Sequence, residues 1–315
     1  MTEIGRRRLG AAGPEVSEVA LGSWRTFERI PREMGVAVLT RARELGIDFL
    51  DDARYDDETG SAPIPSGYSE VLFGELFRAA GFSREETLVS EKLWWEFWPE
   101  QSAAQELDGS LERLQFDYVD LIYAVTLPPA LDIETAVAQV AMLLRAGKAR
   151  HWGVAMWQAA DIEAACAAAD AEGIARPCAA QMAYSFAERA TAANPAMLAA
   201  LGECGVGLVA SAPLAGGVLS GKYADERSGG RHAGDLGTPE RQKALRAGDA
   251  LRELAAEWGT NATALAVAFA LDHPHVSAAL LGATSPAQLE QAAVGSALRA
   301  SLSEEQLGRL REWHP

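Results

Sequence analysis

Eight short apolar segments alternate with longer amphipathic segments along this 315-residue chain, and this alternation restricts the folds open to it. The apolar segments have the length and composition of buried strands and lie at residues 19–21, 48–50, 88–91, 119–125, 152–156, 179–182, 207–211 and 278–281. The intervening segments have helical periodicity, as at residues 32–45, 70–80, 102–114, 133–146 and 160–171. Repeated strand–helix units form parallel sheets, and eight of them predict an α/β fold closed into a (β/α)8 TIM barrel.

Three segments interrupt the alternation. Residues 8–17 are rich in turn-forming residues and predict a short β-hairpin before the first barrel strand. Residues 56–67 and 220–240 are polar, Gly-containing loops that follow the second and seventh strands. Long loops after barrel strands lie on the face where catalytic groups collect, so we expect binding loops there. No linker divides the chain, and we predict one domain over residues 1–315.

The charge and the cysteines of the chain exclude several classes of function. A net charge of −16 argues against binding to nucleic acid or to anionic membranes. No apolar run is long enough for a transmembrane helix, and no signal peptide is recognisable. Cys166, Cys178 and Cys204 lack metal-ligand spacing and suit a reducing compartment. The five histidines form no ligand pattern, so we expect a cytoplasmic protein without a metal site.

One lysine occupies a position typical of a catalytic group. The chain has only four lysines, and Lys92 alone ends a strand-like segment and precedes a run of aromatic residues. An ammonium group beside aromatic walls requires a carboxylate partner. Asp51 ends the second strand-like segment, and strand ends meet at one mouth of a barrel. We therefore predict an Asp51–Lys92 ion pair there.

A tyrosine near this pair would complete a proton-donating set. A phenol has a pKa of about 10, and a neighbouring ammonium lowers it. Tyr55 follows Asp51 by four residues, and Tyr68 ends the polar loop, so either can be the donor. The structural alternative is an ordinary buried ion pair with Tyr55 facing solvent.

Short motifs lie within or beside the predicted strands and occur in a fixed order along the chain. They include IDFLDDA at residues 47–53, GYSEVLFG at 67–74, VSEK at 89–92, DYVDL at 117–121, GKAR at 147–150, APL at 212–214 with GKY at 221–223, and LGATSP at 281–286. In this order they resemble the motifs of the aldo-keto reductases along nearly the whole chain. The resemblance implies a (β/α)8 barrel, a nicotinamide cofactor and carbonyl reduction.

The catalytic residues implied by the resemblance are incomplete in this chain. The family's aspartate falls on Asp51 and its lysine on Lys92. The family's tyrosine stands five residues after the aspartate, where this chain has Asp56, so Tyr55 lies one residue early. The family's histidine falls on Val125, whose side chain cannot donate a hydrogen bond to a carbonyl oxygen.

The resemblance also implies a cofactor site. Gln181 matches the family's glutamine that binds the nicotinamide carboxamide, whereas Ala155-Met156 replace a Ser-Asn pair and Ser211 replaces a stacking aromatic residue. The predicted cofactor-binding residues are Gly22, Ser23, Trp24, Asp51, Gln181, Ser211, Ala212, Pro213, Leu214, Gly216, Gly282, Thr284 and Gln288.

The cofactor preference is less determined by the sequence. The adenosine-side asparagine of the family is Ala292 here, and residues 282–291 contain no basic residue for a 2′-phosphate. Arg299 or an arginine in residues 226–245 is the alternative source of positive charge. We predict NADP(H), with NAD(H) as the alternative.

The substrate pocket is predicted from aromatic residues that follow strands. Its predicted members are Trp24, Tyr68, Trp94, Trp95, Val125 and Trp157, although packing under a lid explains any single tryptophan equally well. Aromatic walls favour an apolar or ring-bearing small-molecule carbonyl substrate.

Three functions are compatible with these features. The preferred one is NAD(P)H-dependent reduction of an aldehyde or ketone. The missing histidine also suits a cofactor-binding sensor or subunit with little turnover. A non-redox lyase or isomerase that uses Lys92 or Asp51 is the third. The oligomeric state is left open.

Overall fold

The computed structural model describes residues 4–221 and 237–314, and eight of its strands form a closed parallel barrel. An antiparallel hairpin of β1 (Arg6–Arg8) and β2 (Glu15–Ser17) precedes the barrel. The barrel strands are β3 (Val19–Gly22), β4 (Phe49–Asp51), β5 (Leu88–Leu93), β6 (Val119–Val125), β7 (Ala149–Ala155), β8 (Ala179–Ala183), β9 (Gly207–Ser211) and β10 (Val276–Leu281). Strand β10 pairs with both β3 and β9, which closes the sheet. The predicted (β/α)8 barrel with its N-terminal hairpin is confirmed.

Helices surround the barrel and connect its strands. They are α1 (Arg32–Glu44), α2 (Tyr68–Ala79), α3 (Ala103–Leu114), α4 (Ile133–Arg145), α5 (Ala159–Glu172), α6 (Pro195–Cys204), α7 (Pro239–Trp258), α8 (Ala262–Asp272), α9 (Pro286–Ser301) and α10 (Glu304–Glu312). The five helical segments predicted from periodicity differ from α1 to α5 by no more than two residues at either end. Most of the predicted loop at residues 220–240 lies outside the described residues. None of the described helices is long and apolar enough to cross a membrane.

Local sequence signals explain where many of these helices begin and end. Ser102 and Gln105 form a capping box at the start of α3, and the Asp132 side chain accepts a hydrogen bond from the first turn of α4. Gly173 and Gly205 adopt the left-handed conformation at the ends of α5 and α6. These caps satisfy backbone groups that the helices leave unpaired.

The N-terminal hairpin covers the end of the barrel opposite the predicted site. The amide of Ala11 donates to the carbonyl of Gly205, which precedes β9, at 2.7 Å. Gly10 has a φ of +62°, and a Cβ atom there would lie 2.3 Å from the carbonyl oxygen of Cys178. Only glycine allows this approach of two backbones. The opposite, C-terminal mouth of the barrel is therefore the face that remains open.

Candidate active site

The C-terminal mouth of the barrel opens into a cavity of about 1310 Å³. Asp51 at the end of β4, Tyr55 in the following loop and Lys92 near the end of β5 lie together on its wall. The cavity then continues past the ends of β8, β9 and β10 to the first turns of α7 and α9. This volume is above the usual range for a drug-sized ligand and has room for a dinucleotide and a substrate.

Asp51 and Lys92 form a buried ion pair. The Lys92 ammonium donates to Asp51 Oδ2 at 2.8 Å and to the backbone carbonyl of Asp52 at 3.1 Å. The other carboxylate oxygen of Asp51 accepts from the Ser90 hydroxyl at 2.6 Å and from the Gln181 amide at 3.1 Å. Burial alone would lower the pKa of Lys92, but the adjacent Asp51 carboxylate outweighs burial and the pKa is raised. Lys92 is therefore held as the cation.

Tyr55 lies beside this pair, between two tryptophan rings. The Lys92 ammonium is 5.8 Å from the centroid of the Tyr55 ring, and the rings of Trp24 and Trp94 are 6.4 and 6.0 Å away. Burial raises the pKa of Tyr55 above its ordinary value, and the opposing effect of Lys92 does not cancel this rise. The sequence led us to expect a net decrease, which is corrected here. The phenol stays protonated across the physiological range.

Residues near the expected histidine position offer few hydrogen-bond donors to a substrate. Val125 ends β6 and lines the cavity. The Thr126 hydroxyl donates to the carbonyl of Met156 at 3.1 Å, and the Trp94 indole nitrogen is buried without a partner among the described residues. The Ser90 and Gln181 donors are bonded to Asp51, and Tyr55 lies beside the ion pair as the candidate proton donor.

Most of the predicted cofactor residues line the same cavity. Gly22 and Trp24 lie at its β3 edge, Gln181 lies in the middle of β8, and the others lie at or beyond the ends of β9 and β10. These last members are Ser211, Ala212, Pro213, Leu214, Gly216, Gly282, Thr284 and Gln288. The site thus combines amide and hydroxyl groups at one end with the ion pair in the middle, a donor set that fits a nicotinamide dinucleotide. Their roles in binding remain predictions.

Four predicted site residues lie outside the cavity wall. The hydroxyl of Ser23 points outward and donates to Asp52 Oδ1, and Tyr68 begins α2 in a shallow crevice beside Trp24. Trp95 and Trp157 are buried in the core between the strands and the helices. Neither ring lines the cavity. A left-handed backbone at Trp95, with a φ of +61°, turns its ring away from the mouth and against Trp98.

Three cationic residues that line the cavity were not predicted individually from the sequence. They are Arg241, Lys243 and Arg246 on α7. Only the general expectation of an arginine within residues 226–245 indicated this charge. The alternative, Arg299, pairs with Asp272 at 3.3 Å and does not line the cavity.

Strained backbone is concentrated at this mouth. Of the six non-glycine residues with positive φ in the described ranges, five lie within four residues after the end of a barrel strand, and four of these, Arg25, Met156, Ala212 and Ala215, line the cavity. Such conformations cost roughly 1–3 kcal/mol each and persist where the surrounding structure enforces them. Met156 is also 57% exposed, so the mouth presents an apolar side chain to an incoming ligand.

The fold and the site together define a (β/α)8 barrel protein with a buried lysine–carboxylate pair in a ligand-sized cavity. Residues 18–314 match the aldo/keto reductase family, and the chain belongs to that family. It is 29% identical over 298 residues to a probable voltage-gated potassium channel subunit beta from Oryza sativa subsp. japonica, covering 90% of this chain and 88% of that protein. A putative subunit beta of the same kind from Schizosaccharomyces pombe is 30% identical over 302 residues, covering 90% and 85%.

Proposed function

We propose that this chain reduces an aldehyde or ketone with a nicotinamide cofactor, NADP(H) in preference to NAD(H). The observation that carries the proposal is the Lys92 ammonium, which lies 2.8 Å from Asp51 Oδ2 and 5.8 Å from the centre of the Tyr55 ring. All three side chains line the cavity, and most of the residues predicted to bind the cofactor line the same cavity.

Each of the three residues has a distinct role in this proposal. The bound cofactor would supply a hydride. Tyr55 donates its phenolic proton to the carbonyl oxygen as that oxygen gains charge. Lys92 stabilises the phenolate that Tyr55 leaves, and Asp51 holds the ammonium in position. The raised pKa of Tyr55 keeps the donor loaded but makes it a weak acid, which limits the rate.

Positive charge at the far end of the cavity supports the preference for NADP(H). Three cations lie within about one and a half turns of α7, namely Arg241, Lys243 and Arg246. This local positive charge contrasts with the net charge of −16 of the whole chain. Guanidinium and ammonium groups bind phosphates through charge-assisted hydrogen bonds. NADP(H) carries a 2′-phosphate that NAD(H) lacks, so these cations favour the former.

An apolar or ring-bearing carbonyl compound is the proposed substrate. Trp24, Trp94 and Met156 surround the ion pair at the cavity mouth, and Trp24 is 47% exposed. Aromatic and thioether groups bind apolar rings and provide no anchor for an anionic group. The three unpaired cysteines support the cytoplasm as the place of action.

A cofactor-binding subunit with little turnover is the second candidate. Val125 stands where a hydrogen-bond donor to the carbonyl oxygen is expected, and this favours a subunit with little turnover. Removing one such donor typically slows a reaction about 10²–10³-fold. The names of the potassium channel relatives from Oryza sativa and Schizosaccharomyces pombe point the same way.

Two measurements test the proposal. Quenching of tryptophan fluorescence by NADPH and NADH reports binding, because Trp24 and Trp94 line the cavity. Oxidation of NADPH with a panel of aromatic aldehydes and ketones then reports turnover. Binding with turnover that Tyr55→Phe abolishes supports the reductase. Binding without turnover supports the subunit, and absence of binding to either cofactor contradicts both.

A further inference from the structure

Three carboxyl side chains are buried together behind the catalytic pair, on the outer face of the barrel sheet. Asp52 follows β4, Glu91 lies in β5 and Glu70 lies in α2, and all three side chains are inaccessible to solvent. Side chains alternate across a strand, so Glu91 faces outward between Ser90 and Lys92. We refer to Asp52, Glu70 and Glu91 as the carboxyl cluster.

Hydrogen-bond partners account for only part of this cluster. Glu70 accepts from the Arg113 guanidinium, with one of the two bonds at 3.2 Å. Asp52 Oδ1 accepts from the Ser23 hydroxyl, and Glu91 Oε1 accepts from the backbone amide of Lys92 at 3.0 Å. Asp52 Oδ2 and Glu91 Oε2 are fully buried and have no hydrogen-bond partner within residues 4–221 and 237–314.

In the part of the chain that the structure describes, too few positive charges face the cluster to balance three carboxylates. Arg113 from α3 is taken by Glu70, and the Lys92 ammonium is directed to Asp51 on the inner face. Arg54 acts on Glu70 from a distance. A buried carboxyl group without a cationic partner strongly favours its protonated form over its ionised form, and a second carboxylate nearby disfavours ionisation further. Burial, with the charge of Glu70, raises the pKa of Asp52 to about 8, and the same causes raise the pKa of Glu91 well above its usual range.

We propose that the carboxyl cluster holds at least one proton at neutral pH, and that loss of this proton weakens Tyr55 as a proton donor. The second half of this statement rests on the proposed carbonyl reduction. Asp52 and Glu91 are positioning residues, because they reach Tyr55 only through the field that they create. Both residues adjoin Lys92. The backbone carbonyl of Asp52 accepts from the Lys92 ammonium at 3.1 Å, and Glu91 precedes Lys92 in the chain.

The sign of the effect follows from electrostatics. Negative charge on Asp52 or Glu91 disfavours the phenolate of Tyr55 and therefore raises the pKa of Tyr55. The neutral cluster leaves the phenol more acidic. Reduction should therefore slow as the pH rises through the titration of the cluster, although Tyr55 itself stays protonated throughout.

The first experiment measures unfolding by urea between pH 5 and 9 and requires no activity. A group that is protonated when folded but ionised when unfolded makes the unfolding equilibrium constant rise about tenfold per pH unit, from its unfolded pKa near 4 to its folded pKa. We expect this rise in the unaltered protein. In Asp52→Asn, a neutral isostere, and in Glu91→Gln, the rise should be smaller, and each variant should be the more stable at pH 9.

A paired buried carboxylate provides the matched control. Asp120 accepts from the Arg84 and Arg150 side chains, so Asp120→Asn should lose stability at neutral and alkaline pH instead of gaining it. Infrared difference spectra of the unaltered protein provide a second measurement that needs no variant to fold. A protonated-carboxyl stretch at pH 6 that disappears by pH 10 supports the proposal. Equal pH slopes in all proteins, or no such band, overturns it.

The second experiment follows single-turnover reduction with NADPH bound. We expect the rate in the unaltered protein to fall at alkaline pH, and the fall to shift or disappear in Asp52→Asn. An identical pH profile in the variant overturns the link to Tyr55. If the unaltered protein reduces no carbonyl compound, the proposed function fails while the unfolding and infrared results still decide whether the cluster holds a proton.

Discussion

The side-chain amide of Gln181 donates a hydrogen bond to Asp51 Oδ1 at 3.1 Å, across the mouth of the barrel. Gln181 lies in the middle of β8 and Asp51 ends β4, so the bond joins opposite sides of the barrel. The proposed nicotinamide contact therefore touches the carboxylate that holds Lys92. If the proposed cofactor contact is made, cofactor binding would act on the geometry of the ion pair through this amide.

Replacing Gln181 with leucine should destabilise the protein. The substitution keeps the volume but removes a hydrogen bond to a buried carboxylate, which is worth roughly 1.5–3 kcal/mol of unfolding free energy. Urea unfolding measures the loss. Gln288→Leu is the control, because Gln288 is exposed and bonds only locally with Thr284 and Ser285. Equal stability of Gln181→Leu and the unaltered protein would show that the amide makes no net contribution.

The Asp51–Lys92 pair should behave as a unit. Lys92→Met leaves Asp51 buried beside a methyl group and should cost roughly 3–5 kcal/mol of unfolding free energy. Adding Asp51→Asn removes the stranded charge and should recover part of this loss, giving a clear coupling energy in a double-mutant cycle. Additive losses in the cycle would contradict an ion pair. Lys92→Met should also abolish carbonyl reduction.

Val125 is the position where one substitution should increase activity. Val125→His restores a hydrogen-bond donor at the end of β6, and such donors are typically worth about 10²–10³-fold in rate. Steady-state NADPH oxidation with an aromatic aldehyde measures the gain. Val125→Leu, which adds bulk without a donor, should show no increase. A rate in Val125→His no higher than in Val125→Leu would mean that carbonyl polarisation is not limiting.

The cations of α7 should determine the cofactor preference. Arg241→Ala should weaken NADPH binding by about 10- to 100-fold, the equivalent of one charge-assisted hydrogen bond, and leave NADH binding nearly unchanged. Isothermal titration at two salt concentrations measures both. Arg299→Ala is the matched control, because Arg299 pairs with Asp272 outside the cavity. Equal weakening for NADPH and NADH would place Arg241 near the pyrophosphate instead.

The barrel and the Asp51–Lys92 ion pair were predictable because their signals are local and repeated. The strand periodicity placed Asp51 and Lys92 at strand ends, and the barrel brings strand ends to one mouth. The direction of Trp95 was not predictable, since a left-handed backbone at a tryptophan has no sequence signal. The outward side chain of Ser23 likewise depends on the buried partner Asp52.

The electrostatics of the site depended on tertiary packing. Lys92 beside Tyr55 suggested a lowered pKa, but burial of the phenol at the barrel mouth has the larger, opposite effect and raises the pKa of Tyr55. The carboxyl cluster is also invisible along the chain, because Glu70 reaches Glu91 only when α2 packs on the sheet.

Transfer of deuterium from NADPH labelled at C4 to an aromatic aldehyde is the decisive test of carbonyl reduction by this chain. We expect alcohol labelled at the carbinol carbon with the unaltered protein, and none with Tyr55→Phe, which should still bind NADPH by fluorescence. Recovery of the aldehyde without any labelled alcohol from the unaltered protein at saturating NADPH would contradict carbonyl reduction. Equal labelling of the alcohol by Tyr55→Phe would contradict the role of Tyr55 as the proton donor.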